Sequence, residues 1–93
     1  MISNDKLPSR KETLGKLKAL VEGTLKPEEV NDWACPWIIN GPYESIDFVV
    51  WEALGSLCGA DLKTSATSYL HSHEDFLHWL TDFQKGCALN PEK

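Results

Sequence analysis

From Ile46 to Cys58 the apolar side chains recur at the spacing of one helical face. Ile46, Val49, Val50, Ala53, Leu54, Leu57 and Cys58 are separated by intervals of three and four residues, with Ser45 as the expected cap and Gly59 as the expected stop. A half-buried strand needs alternate residues on one side, and this run does not supply them. Phe48-Val49-Val50-Trp51 has local strand propensity, but the longer helical period outweighs it.

The same spacing governs most of the chain. Ser9-Arg10-Lys11-Glu12 reads as a capping box, with Leu14, Leu17, Leu20 and Val21 following and Gly23 as a stop. Pro27 suits the first position of a second helix, and Glu28 and Glu29 complement its dipole. Val30, Trp33, Ala34, Trp37 and Ile38 form its stripe. Pro36 predicts a kink or break near Ala34-Cys35, because proline lacks a donor and crowds the carbonyl four residues back. Residues 61–71 read as a loop with at most one helical turn. Ser72 caps a last helix with Phe76, Trp79, Leu80 and Phe83 on its apolar face and an expected end at Gly86. With 93 residues and no strand-like segment, the expectation is an all-α single domain, an irregular bundle of four to five helices, with flexible ends at 1–8 and 87–93.

The three cysteines, Cys35, Cys58 and Cys87, are odd in number and lack CxxC spacing. That argues against a disulfide framework or a zinc knuckle. Cys35 and Cys58 read as small core hydrophobes in a reducing cytoplasm. The opening residues lack the apolar run of a signal peptide, and no stretch approaches a membrane span.

Chemistry-bearing patterns are sparse. His73 and His78 are five apart, on different helix faces, and His71 precedes the helix, so no metal or cofactor is expected. Cys35 lies between two tryptophans, a core setting rather than a nucleophile's. No GxSxG, HExxH or phosphate-binding glycine loop occurs. A non-enzymatic binding role is the expectation.

Charge is the most directional feature. Residues 27–84 carry ten acids and one base, Lys63, whereas residues 1–26 are at +3 and the whole chain at −5. Such a body attracts basic protein surfaces and repels nucleic acid and membrane. With few arginines and no groove-reading motif, the lysines of the first helix are read as pairing with that body or keeping the molecule from being uniformly negative. The expected partner-binding pool is Glu28, Glu29, Asp32, Glu44, Asp47, Glu52 and Asp61, with Trp51 as an apolar anchor.

Trp33-Ala34-Cys35-Pro36-Trp37, Trp51-Glu52-Ala53-Leu54 through Gly59-Ala60-Asp61-Leu62, and Tyr69-Leu70-His71 through Glu74-Asp75-Phe76-Leu77-His78-Trp79-Leu80 resemble a family of small acidic bacterial proteins, similar to immunity proteins of toxin–immunity systems. The resemblance covers residues 14–84. It implies neutralisation of a basic toxin domain, such as a nuclease, by an acidic surface. The alternative is a regulatory or adaptor module in the bacterial cytosol that binds another host protein.

Overall fold

Four helices build the protein: α1 (Arg10–Glu22), α2 (Pro27–Asn40), α3 (Phe48–Leu57) and α4 (His73–Leu89). A 3-10 turn at Tyr43–Ser45 precedes α3. The computed structural model describes residues 7–41, 43–63 and 71–91; the expected loop is thus open to description only at its ends, because residues 64–70 lie outside that set. No strand occurs among the described residues, and the all-α bundle is the observed architecture.

α1 starts where the sequence places its cap, with the Ser9 hydroxyl accepting from the Glu12 amide at 3.0 Å. It stops at Gly23, whose φ of 84° only glycine adopts readily. The next turn is short, and Pro27 opens α2 as expected. α4 begins with a reciprocal box: Ser72 accepts from the Asp75 amide, and the Asp75 carboxylate accepts from the Ser72 amide at 3.0 Å.

α1 lies chiefly against α4 and α2 chiefly against α3, while α3 also packs on α4 and α1. Leu17, Val30, Ala34, Val50, Leu54, Leu57 and Ala60 are fully buried between them, with Phe76 and Phe83 closing the core from α4. The buried Thr13 hydroxyl donates back to the Ser9 carbonyl at 2.7 Å, so its polarity is satisfied within α1.

Four expectations are corrected. Of the kink or break expected at Pro36, the break does not occur: α2 runs on through Pro36 to Asn40. The carbonyl that loses its donor belongs to exposed Asp32, where water can satisfy it, while buried Val30 and Ala34 hold the helix to the core. α3 is capped by Asp47, not Ser45. The Asp47 carboxylate accepts from the Val49 amide at 2.9 Å, and Ile46 is buried from outside the helix. α4 passes through Gly86 and Cys87 to Leu89. Gly86 is the close-approach point to α3, where an added Cβ would lie 3.1 Å from Val49.

The fourth correction concerns sulfur. Cys35 and Cys58 are bonded to each other, with Cα atoms 4.7 Å apart. Both lie where α2 faces the end of α3, a proximity that a sequence separation of 23 conceals. Cys87 is free and half-buried.

Candidate nucleic-acid interface

The acidic pool occupies several settings. Asp47 is spent on structure: its carboxylate takes two hydrogen bonds from Arg10, at 2.5 Å from Nε and 3.3 Å from Nη2, and caps α3 besides. The Arg10 bond first, and the Val49 amide and the Arg10 charge after it, hold the Asp47 carboxyl below its ordinary value against an opposing effect of burial. Glu28 lines a depression with Lys26, His71 and His73 at the junction of α1, α2 and α4. Glu52 lines a separate groove between α3 and α4 with Asp82. Glu29, Asp32 and Glu44 are exposed, and Asp61 is half-buried after α3. Trp51 is half-buried against the core, which widens the apolar face of α3.

The α3–α4 groove has an apolar floor of Val49, Ala53, Trp79 and Phe83. Phe48, at 67% exposure, stands among its lining residues. The histidines do not converge. His71 packs edge-on against Trp79 at 4.8 Å and lies 3.6 Å from Asp75, whereas His78 lies 3.7 Å from Asp82 on an exposed surface. Among the described residues no cluster of three or more metal-binding side chains occurs, and no helix is long and apolar enough to cross a membrane.

α1 differs in sign from the rest. It carries Arg10, Lys11, Lys16 and Lys18 against Glu12 and Glu22, and it is the single net-positive helix among the described residues. Its buried side holds Thr13, Leu17 and Leu20, which turns Lys11, Gly15, Lys18 and Glu22 to the opposite side. Lys11 and Lys18 are exposed, two turns and roughly 10 Å apart along the axis. Between them Gly15 has open space around it and leaves the backbone bare. Exposed Lys26 follows at the start of α2. Arg10 and Lys16 are turned elsewhere: Arg10 binds Asp47 and the Cys87 carbonyl, and the Lys16 ammonium sits 5.5 Å from the centre of the Trp33 ring. Lysines at this spacing on an exposed helix can meet phosphates as point charges.

A small helical bundle with one cationic helix over an acidic body is the class that fold and surface define. The chain belongs to the YxzC family, whose model, described as "YxzC DNA-binding protein", matches residues 4–83. It is 38% identical over 72 residues to the uncharacterized protein YxzC of Bacillus subtilis strain 168. The match takes in 77% of this chain and 59% of that relative, so the chain spans about three-fifths of the relative's length. No solved structure matches the chain.

The family overturns the resemblance to toxin-neutralising immunity proteins, and with it the basic toxin partner and the exclusion of nucleic acid. The quoted motifs misled because they specify packing. Ala34, Ala53, Leu54, Ala60 and Phe76 are core residues, and a core does not name a partner. The exclusion of nucleic acid rested on few arginines, no groove-reading motif and a net-negative chain behind the first helix, none of which removes exposed lysines from one helix face. The sign switch between residues 1–26 and 27–84 was visible in the sequence and was assigned there to a protein partner.

Proposed function

We propose that this is a non-enzymatic, cytoplasmic DNA-binding regulatory protein that contacts the phosphate backbone through the outer face of α1. The observation that carries the reading is the exposed Lys11–Gly15–Lys18 stripe in a family described as DNA-binding. The acidic body supports it by restricting the approach: α2, α3 and α4 are each net-negative, so a duplex is repelled from every other helix.

The outer stripe of α1 presents no Arg, Asn or Gln, and its lysines are flexible point charges better suited to phosphates than to the fixed geometry of base edges. Contact is therefore with phosphates, modest in affinity and little dependent on sequence. The test is fluorescence anisotropy of a labelled duplex at low salt. Replacing both Lys11 and Lys18 by Glu should weaken binding by at least about tenfold. Equal binding by parent and variant contradicts the reading.

A regulatory adaptor that binds a host protein is the second reading, and one observation favours it: Phe48 exposed at an apolar-floored groove. Phe48→Ser should then abolish protein capture and leave duplex binding unchanged.

A further inference from the structure

We infer that Cys35–Cys58 is a reversible redox clasp that pins α2 to the end of α3 just ahead of its proline, and this holds whether or not the protein binds DNA. Three observations converge. The bond ties α2 to the residue that ends α3, so it joins two elements and not two points of one loop. Its α2 anchor, Cys35, immediately precedes Pro36, where the helix lacks one of its own hydrogen bonds. Both cysteines are half-buried, not sealed in the core, so a small thiol can reach them.

Asn31 makes both redox states tenable. Its side-chain oxygen accepts from the Gly59 amide at 2.8 Å, and the Cys35 sulfur lies 3.1 Å from the same oxygen. When the bond is broken, the Cys35 thiol has an acceptor waiting and the α2–α3 junction keeps one hydrogen bond. When it is made, the Gly59 contact stays.

The exchange partner is a low-molecular-weight disulfide. One protein thiolate attacks it, forming a mixed disulfide and releasing one small thiol. The second protein thiolate then attacks the protein sulfur of that mixed disulfide and releases the other. Two protein thiols become one disulfide, the small disulfide becomes two thiols, and the two protons leave with them. In the reduced state the turn at Cys35–Pro36 loses its covalent tie to Cys58, so Trp37–Asn40 beyond it are held by packing alone, while Val30 and Ala34 stay in the core.

The experiment equilibrates the native protein in reduced and then oxidised glutathione, traps free thiols with maleimide, and follows amide hydrogen exchange across α2. Maleimide should label three cysteines after reduction and Cys87 alone after oxidation, reversibly and without denaturant. Exchange at Trp37–Asn40 should speed up on reduction while Val30–Ala34 stay protected. In Pro36→Ala the helix regains its missing bond, so the redox-dependent difference should shrink. A bond that yields to glutathione only in denaturant, equal exchange in both states, or an undiminished difference in Pro36→Ala overturns the inference.

Discussion

The Arg10 guanidinium grips the Asp47 carboxylate with Nε at 2.5 Å and Nη2 at 3.3 Å, joining the first turn of α1 to the cap of α3 across 37 residues. Nη1 reaches the Cys87 carbonyl at 3.4 Å, so one side chain gathers α1, α3 and the end of α4. The pair is largely shielded, with Arg10 12% and Asp47 26% exposed. Removing one partner strands the other in that setting. Arg10→Ala should therefore cost about 2–3 kcal/mol, and Asp47→Ala slightly more because α3 also loses its cap. Urea unfolding of the two variants measures this, and a cost under about 0.5 kcal/mol would mark the pair as an ordinary surface contact.

Acid should expose the same linkage. The folded Asp47 carboxyl is held below its ordinary value of 3.8, foremost by Arg10. A depressed carboxylate contributes stability that is fully present above its unfolded value and is lost as pH falls through the folded one. The urea midpoint should thus fall below about pH 4, and Asp47→Asn, less stable at neutral pH, should show a flatter acid limb. Parallel acid limbs in parent and variant would place the acid sensitivity elsewhere.

Two helical glycines should respond in opposite directions. Gly15 has open space around it, so Gly15→Ala should stabilise by about 0.5–1 kcal/mol through helix propensity alone. Gly86 meets Val49, and Gly86→Val should drive α4 from α3 at a cost of about 1–3 kcal/mol. Thermal melts of both variants decide this, and a stabilised Gly86→Val would mean that α4 does not approach α3 so closely.

The Cys35–Cys58 bond closes a loop of 23 residues. Its loss in Cys35→Ala should lower stability by about 3 kcal/mol relative to the oxidised parent. Relative to the reduced parent the difference should shrink to about 1 kcal/mol or less. Denaturation with and without reductant measures both gaps, and equal stability of oxidised and reduced parent would contradict this.

Local signals carried the helices and failed where distant residues met. The apolar spacing placed all four, and Ser9, Gly23, Pro27 and Ser72 marked their ends, because caps act within a turn of chain. Asp47 replaced Ser45 as the α3 cap because buried Ile46 had to stay outside the helix, a packing decision. Gly86 looked like a stop because its reason for being glycine, the approach of Val49, lies on another helix. Arg10–Asp47 and Cys35–Cys58 left no sequence pattern at all. For the surface, composition displayed the acids but not that Asp47 is bound to Arg10. The lysines of α1 were seen and assigned to internal pairing; in the structure Arg10 pairs internally, while Lys11 and Lys18 face outward.

The most direct test of α1 as the DNA-facing element is the salt dependence of duplex binding. With two or three phosphates neutralised by Lys11, Lys18 and Lys26, a plot of log affinity against log salt should have a slope of about −2 to −3. Lys11→Ala combined with Lys18→Ala should flatten it by about 2. A slope near zero, or one that the double variant leaves unchanged, would show that DNA does not lie on this helix.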